Sequence, residues 1–282
     1  AITVALSIST SRMAKKNVIV RKLAAVEGLG SCTMIASDKT GTLTMNSQTV
    51  KKVILVSGQK MDVTGEGYND SGEIVPYDGA DFSPHRDDMN AFVSASVLCN
   101  ESELEKRNGQ WVKSGDSVDV AFLALAYKND MNPAEIKSTH KIVAELPFES
   151  ERKFAATFYE EDGKVFVAVK GAQETLLPLC VCSNGKKNNP AMKKQLEDDA
   201  IYLTSEGYRV IAVATAEVEK ADKYTDKSIK DLHFLGLAGL KDPLRPEAYQ
   251  SVRSCLRAGV KVSMVTGDHP LTALSIAKDL GI

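Results

Sequence analysis

The chain lacks the features that mark several common classes of protein. No run of apolar residues approaches the roughly 20 that a helix needs to cross a bilayer. The net charge of -2 leaves no basic surplus of the kind that nucleic-acid-binding proteins carry. The five cysteines include no Cys-x-x-Cys pair, which favours a reducing compartment over a disulfide framework. The sequence therefore predicts a globular protein that does not bind nucleic acid.

The most informative segment runs from Asp38 to Thr44 and reads Asp-Lys-Thr-Gly-Thr-Leu-Thr. It follows the largely apolar run from Cys32 to Ala36, which predicts a buried strand with Asp38 just past its end. Loops at the carboxyl ends of such strands meet ligands, and a carboxylate there can attack a phosphoryl group to form an acyl phosphate. The ordinary alternative is a capped turn, since Asp, Thr and Gly are common turn residues.

The neighbours of Asp38 suit a phosphoryl group. Thr40 and Thr42 offer hydroxyls, Lys39 adds positive charge, and Gly41 lets the backbone turn tightly toward phosphoryl oxygens. We therefore expect this loop to bind phosphate.

A second segment of the same kind lies near the other end. Val260 to Val265 predicts another buried strand, followed by Thr266-Gly267-Asp268 and a helix from His269 to Leu280. Hydroxyl and amide donors at a helix N-terminus form an anion site. A further helix from Pro246 to Gly259 precedes this strand, so the pattern is that of a parallel sheet with helices on its faces. One sheet edge can then carry both loops.

The chain between the two loops, from about Thr49 to Leu232, has its own alternation of strands and helices. It predicts a strand at Val50 to Val56, a hairpin from Phe154 to Val169 that turns at Asp162-Gly163, and a helix that begins at Pro190. Apolar positions at helical spacing predict two more helices, around Met89, Phe92 and Val93 and around Val118, Ala121, Phe122 and Leu125. The fold class is therefore α/β, with a separate mixed α/β domain inserted into the first.

The segment from Asp38 to Thr44 resembles the phosphorylation signature of the P-type cation-transporting ATPases, members of the haloacid dehalogenase superfamily. The resemblance covers essentially the whole chain. It implies a discontinuous, incomplete Rossmann-like phosphorylation domain of the haloacid dehalogenase type, interrupted by a nucleotide-binding domain. We expect a transmembrane-helix stub at 1–16, the phosphorylation domain at 17–48 and 233–282, and the nucleotide-binding domain at 49–232. A soluble amphipathic helix is the alternative for the stub.

The resemblance implies that Asp38 takes the γ-phosphoryl group of ATP, with Mg²⁺ held by Asp38 and the Thr40 carbonyl. Lys39, Thr266, Gly267 and Asp268 would complete the catalytic set. Soluble phosphatases of the superfamily carry a second aspartate two residues after the nucleophile, where this chain has Thr40. A long-lived aspartyl phosphate is therefore expected. A soluble phosphatase of the haloacid dehalogenase type remains the alternative function.

Further motifs of the insertion resemble the family's ATP site. The segment from Lys170 to Glu174 is similar to the Lys-Gly-Ala-Pro-Glu box, with Gln173 in place of proline, and 242–245 is similar to the Asp-Pro-Pro-Arg hinge, with Leu244 for one proline. Asp119 stands where a glutamate is usual. The resemblance assigns the ATP site and its hinge to Asp119, Phe148, Lys153, Lys170, Gly171, Arg209, Asp242 and Arg245.

The wider context also follows from the resemblance. It implies a membrane pump of the Ca²⁺ or Na⁺/K⁺ branch, with this region on the cytoplasmic side and the cation-binding helices and actuator domain as partners. The family's later Gly-Asp-Gly-x-Asn-Asp loop, which completes the Mg²⁺ site, does not occur in the sequence. We therefore expect a catalytic-core fragment that binds ATP but phosphorylates itself poorly.

Overall fold

The structure is a computed structural model that describes residues 2–22, 24–77, 79, 81–181, 190–267 and 270–282. The helices in this part of the chain are α1 (Ile2–Ala14), α2 (Ala24–Gly30), α3 (Arg86–Leu98), α4 (Ser117–Lys128), α5 (Pro133–Thr139), α6 (Gln173–Leu176), α7 (Pro190–Ser205), α8 (Pro246–Arg257) and α9 (Pro270–Leu280). The strands are β1 (Met34–Asp38), β2 (Thr49–Leu55), β3 (Lys60–Val63), β4 (Ile74–Pro76), β5 (Glu103–Arg107), β6 (Gln110–Ser114), β7 (Lys141–Leu146), β8 (Phe154–Glu161), β9 (Lys164–Gly171), β10 (Cys180–Val181), β11 (Arg209–Val218), β12 (Leu232–Lys241) and β13 (Lys261–Val265).

The described residues form two compact units. The larger comprises 44–243 and 270–276, and the smaller comprises 2–43, 244–267 and 277–282. The chain therefore passes between the units after Leu43 and after Pro243, whereas the sequence predicted changes after residues 48 and 232. The difference arises because β12 pairs with β2 and β11 and is a central strand of the larger unit's sheet.

The larger unit is built on a nine-stranded sheet in the order β4-β3-β2-β12-β11-β9-β8-β7, with β10 alongside β12. Neighbours along this order are antiparallel, and β10 is parallel to β12. Pro76 lies on the edge strand β4, where its missing amide donor is tolerated, and the other edge strand, β7, is bulged near Ile142. These features discourage pairing with another chain.

Helices cover both faces of this sheet, because alternate strand residues point to opposite sides. The predicted apolar stripes of α3 and α4 are confirmed. They are buried in one core with strand residues such as Val53 and Val213. Leu196, Ala200 and Leu203 of α7 are buried in the core on the other face with Ile54 and Ala212.

Two hairpins illustrate what the turn residues specify. The predicted turn at Asp162-Gly163 is confirmed, with φ of 48° and 78°, and it joins β8 to β9. The β5–β6 hairpin was not predicted, although Asn108-Gly109 at its turn is a strong hairpin signal and has φ of 51° and 80°.

In the smaller unit, β1 and β13 lie side by side and parallel, with Asp38 opposite Val265. The parallel pairing agrees with the prediction, but the prediction that both strands are buried is wrong. Met34 is 54% exposed and Val265 57% exposed. The reason is that the described part of this sheet has only these two strands, so their apolar side chains gain little cover. In α8, Ala248 and Val252 are buried, whereas Leu256 is exposed.

The N-terminal segment forms α1, which ends at Ala14. None of the helices in the described ranges combines the length and the apolar character needed to span a bilayer.

Candidate functional site

The larger unit contains a cavity of about 640 Å³ between the start of α4, the adjoining ends of β8 and β9, and the first residues of β11. This volume is typical of small-molecule sites. The residues predicted for the nucleotide site that line it are Asp119, Phe148, Lys153, Lys170, Gly171 and Arg209. The structure thus brings together residues that are far apart in the sequence.

The floor of the cavity is an ion pair between Lys170 and Asp119. Lys170 Nζ lies 2.5 Å from Asp119 Oδ1, and the side chains are 5% and 20% exposed. The ammonium also lies 4.9 Å from the centre of the Phe122 ring. Lys170 stands near the end of β9 and Asp119 in the first turn of α4, so two regular elements fix the pair.

The loop that follows α3 supports Asp119. Asn100 Nδ2 donates to the Asp119 carbonyl at 2.8 Å, and the Glu101 amide donates to Asp119 Oδ2 at 3.2 Å. Lys137 Nζ of α5 donates in turn to the Asn100 carbonyl at 2.7 Å. Burial lowers the pKa of Lys137, and the neighbouring Lys170 charge acts in the same direction. No sequence pattern predicted this loop, because its contacts run mainly through backbone groups that any residue supplies.

Asp116 is the N-cap of α4, since its Oδ1 accepts from the Val118 amide at 2.8 Å. The Asp116 carboxylate therefore caps the helix, and the ion pair at the cavity floor is formed by Asp119 instead. Gly115 precedes it at φ of 104°, where an added Cβ would overlap the Ser102 side chain.

The mouth of the cavity carries exposed side chains. Phe148 is 57% exposed, and Lys153, with Nζ 3.2 Å from Glu174 Oε1, is 55% exposed. Arg209 is exposed at the start of β11, and its guanidinium makes no hydrogen bond or ion pair within the part of the chain that the structure describes. An apolar side chain and two cations thus surround the opening.

Gly171 lets two backbone segments approach closely at the cavity wall. A Cβ there would lie 2.5 Å from the Lys153 carbonyl oxygen and 2.5 Å from Phe154 Cβ. The Ala172 amide donates to that same Lys153 carbonyl at 2.9 Å. The glycine is therefore required by the geometry of the wall, and no other residue fits without displacement.

Asp242 and Arg245 do not line the cavity. Asp242 is buried in the larger unit, where its Oδ2 accepts from Thr44 Oγ1 at 2.6 Å and its Oδ1 accepts from the Ser47 amide at 3.0 Å. In the smaller unit, Arg245 Nη2 donates to the Gly41 carbonyl at 3.0 Å. Each residue lies next to a point where the chain changes units.

In the smaller unit, Asp38 is the exposed last residue of β1 and begins a tight turn. Lys39 is buried, and the backbone kinks at Thr40 and at Gly41, which has φ of 74°. Because Asp38 pairs in register with Val265, Thr266 and Gly267 leave the sheet at the same edge. The predicted Asp268 and His269 lie outside the described residues. This edge therefore carries a carboxylate with hydroxyl and amide donors nearby.

Comparison with known proteins shows to which family the chain belongs. The family model described as P-type ATPase, cytoplasmic domain N, matches residues 88–247, which is more than half of the chain. The chain belongs to the P-type ATPases. The matched segment includes the lining residues from Cys99 to Ile211, so the cavity lies within the matched domain.

Individual P-type ATPases align along the whole chain. The cation-transporting ATPase pma1 of Synechocystis is 38% identical, over 100% of the chain and 32% of its own length. The calcium-transporting ATPase of Bacillus subtilis is 36% identical over 99% of the chain and 32% of its own length. The mouse calcium-transporting ATPase type 2C member 1 is 34% identical over 100% of the chain and 30% of its own length. The chain thus spans about a third of the length of these P-type ATPases.

Proposed function

We propose that the chain is the ATP-binding and phosphorylation region of an ATP-driven cation pump, on the cytoplasmic side of a membrane. The cavity of the larger unit binds ATP, and Asp38 accepts the γ-phosphoryl group. In this proposal the smaller unit is a discontinuous phosphorylation domain of the haloacid dehalogenase type. The proposal rests on one observation. A single cavity is lined by six residues predicted for the nucleotide site, among them Asp119, Lys170 and Arg209.

The cavity suits a nucleoside triphosphate. Its walls include the apolar side chains of Val118, Ala156 and Ile211, which fit a planar base, and Phe148 at the mouth can stack on it. Lys153 and Arg209 at the mouth can pair with phosphates, whose charge favours a hydrated position. These features support nucleotide binding with the base inside and the phosphates toward the opening.

The chemistry at Asp38 is a phosphoryl transfer. A carboxylate oxygen attacks the γ-phosphorus while the bond to the β-phosphate oxygen breaks, and ADP leaves with that electron pair. Thr266 and Gly267, beside the end of β1, can donate to the phosphoryl oxygens. Thr40 replaces the carboxylic acid that would promote hydrolysis, so we expect the aspartyl phosphate to persist.

The loop that begins at Asp38 supplies some of the oxygen ligands that a Mg²⁺ ion needs. Proteins bind it through one or two carboxylates together with water and substrate phosphates, and it neutralises phosphate charge. The exposed carboxylate of Asp38 and the carbonyl of Thr40 offer oxygen donors of that kind. No group of three or more His, Cys, Asp or Glu side chains that could hold a metal occurs among the described residues.

The transported species and the partners belong to the proposal as well. The relatives are named cation-transporting or calcium-transporting ATPases. We therefore propose a metal cation as the cargo, and the membrane and actuator parts of such a pump as partners of this chain.

Displacement of a fluorescent ATP analogue from the 282-residue chain tests nucleotide binding. We expect Phe148→Ala to weaken ATP binding about tenfold, because a stacking surface is lost. Tyr77→Ala, at an exposed aromatic outside the cavity, is the matched control and should leave the affinity unchanged. Equal affinities for the wild type and Phe148→Ala would contradict the assignment of the site.

Incubation with Mg²⁺ and ATP radiolabelled at the γ-phosphate tests the transfer. The label should be stable in acid, released by hydroxylamine and absent from Asp38→Asn, however slowly it accumulates. A label that persists in Asp38→Asn, or none at all on a chain that binds ATP, would contradict the role of Asp38.

A further inference from the structure

The segment of residues 4–22, called the basic segment below, carries charge of one sign only. It has five cationic side chains, and the first acidic residue of the chain, Glu27, follows it. The cations are Arg12, Lys15, Lys16, Arg21 and Lys22. Because these five positive charges belong to a chain whose net charge is -2, the remaining residues together carry a net charge of -7. The basic segment thus stands apart from an otherwise acidic chain.

The five cations have no partners within the ranges that the structure describes. All five side chains are exposed, and none of them makes a hydrogen bond or an ion pair there. Exposed lysines elsewhere are paired, and Lys164 Nζ, for example, lies 2.8 Å from Glu217 Oε2. The charge of the basic segment is therefore available to a partner outside the chain.

Apolar side chains are exposed in the same segment. Val4 and Ile8, one helical turn apart on α1, are 63% and 51% exposed, and Ile19 is 89% exposed. Arg12 follows Ile8 after one further turn, so one face of α1 is apolar at its start and cationic at its end. The basic segment therefore presents positive charge and apolar surface together.

Helix stability explains only part of this pattern. Cations are favoured at the C-terminus of a helix, and Lys15 and Lys16 follow the end of α1 at Ala14. That attraction falls off within one turn, so it does not account for Arg21. It gives no reason for the exposure of apolar side chains. A partner that is both anionic and apolar accounts for all of these features.

We propose that the basic segment is a docking surface for a membrane that contains anionic phospholipids. The cations pair with the headgroup phosphates, and the exposed apolar side chains enter the boundary of the acyl chains. The net charge of -7 on the remaining residues is repelled by the same lipid surface, so the basic segment is the part that faces it.

Other partners satisfy only one of the two chemistries. A double-stranded nucleic acid offers phosphates but no apolar layer, and a second copy of the basic segment would bring like charges together. The proposal adds a lipid contact to the proposed function and is tested separately from it, because binding to vesicles requires neither ATP nor Asp38.

Co-sedimentation of the 282-residue chain with lipid vesicles tests the proposal. We expect binding to phosphatidylcholine vesicles that contain about 30% phosphatidylglycerol to be at least about tenfold tighter than binding to phosphatidylcholine alone. The affinity should fall as the salt concentration rises from about 0.05 M to about 0.5 M, because salt screens the attraction. Equal affinity for both kinds of vesicle, or no binding to either at low salt, would overturn the proposal.

Removal of two charges tests whether the basic segment makes the contact. The double variant Lys15→Gln, Lys16→Gln should bind anionic vesicles about twentyfold more weakly, because each cation near a lipid surface contributes about fivefold. The double variant Lys193→Gln, Lys194→Gln makes the same change at an exposed pair on α7 and should bind like the wild type. Equal losses in the two double variants would assign the binding to general surface charge and overturn the proposal.

Removal of one apolar side chain tests the contact with the acyl chains. Ile8→Ser should weaken vesicle binding about fivefold without changing its salt dependence, because apolar area is lost and charge is kept. Ile201→Ser, at a 61% exposed position on α7, is the matched control and should have no effect. Circular dichroism checks that each variant folds. Unchanged affinity in Ile8→Ser would overturn the choice of a membrane over a soluble polyanion.

Discussion

Arg152 holds the loop that carries Phe148. Its Nη2 donates to the Pro147 carbonyl at 2.9 Å and its Nη1 to Asp226 Oδ1 at 2.9 Å, while the side chain is only 12% exposed. A single ammonium cannot bridge these partners in the same geometry. Arg152→Lys should therefore weaken ATP binding about threefold to tenfold, through a less fixed Phe148.

Displacement of the fluorescent analogue measures this change. Arg107→Lys is the matched control, because Arg107 forms an exposed surface pair with Glu105 away from the cavity and such pairs contribute little. Unchanged ATP affinity in folded Arg152→Lys would show that the loop keeps its position without the guanidinium.

Cys99 makes stability depend on pH in the alkaline range. Burial raises the pKa of its thiol from about 9 to about 11. Between these values the unfolded chain releases the proton that the folded chain retains, so stability is full below pH 9 and falls as pH rises toward 11. From pH 8 to pH 10 the wild type should lose ~1 kcal/mol more than Cys99→Ser. Urea denaturation at both pH values measures the difference.

Cys32 supplies the control for that measurement, since its thiol is exposed. Cys32→Ser should follow the wild type across the same pH range. Parallel pH dependences for the wild type and Cys99→Ser would be inconsistent with a buried thiol that stays protonated.

The position of a residue at the cavity could be predicted where a recognisable motif surrounds it. It could not be predicted where the residue makes its contacts through the backbone. Lys170 and Phe148 were predicted for the nucleotide site because the neighbours of each form a recognisable segment, and both line the cavity. Asn100 contributes a carbonyl to Lys137, which lies 37 positions away, and no sequence pattern marks that contact. The pairing of Lys170 with Asp119 was likewise missed, because it depends on how β9 and α4 pack.

At the scale of elements, the end of β9 depends on Gly171. An alanine Cβ would meet the Lys153 carbonyl and Phe154 at 2.5 Å, so β8 and β9 would have to separate where they form the cavity wall. Gly171→Ala should therefore lower the free energy of unfolding by about 3 kcal/mol, measured by urea denaturation. In the turn of the same hairpin, a Cβ at Gly163 would have no atom within 4 Å, so only the positive φ disfavours alanine there. Gly163→Ala should therefore lower the free energy of unfolding by only ~1 kcal/mol. Equal losses for both variants would contradict the close approach.

Elements were predictable where local residues determine them. Periodicity located α3 and α4, and turn residues located the β8–β9 hairpin. Burial of β1 and β13 was not predictable, since it depends on how many strands join a sheet rather than on the strand's own apolar residues. The place of β12 was missed for a similar reason, because it pairs with β2 across nearly two hundred positions of chain.

At the scale of the molecule, the larger unit has the attributes of an independent domain. Both apolar cores and every residue that lines the cavity lie between Thr44 and Pro243. The ends of this segment meet, since Thr44 donates to Asp242 and the Met45 amide donates to the Pro243 carbonyl at 2.9 Å. Adjacent ends and a complete core are what allow a segment to fold alone.

A polypeptide of residues 44–243 should therefore fold and bind ATP with Kd within about threefold of that of the whole chain. Circular dichroism and displacement of the fluorescent analogue measure both properties. Asp242→Ala in this polypeptide should lower its stability by about 2 kcal/mol, because the buried Thr44 hydroxyl and the Ser47 amide lose their acceptor. Its ATP affinity should stay the same, because Asp242 does not line the cavity. An unfolded polypeptide, or ATP binding more than about tenfold weaker, would show that the cavity needs residues outside this segment.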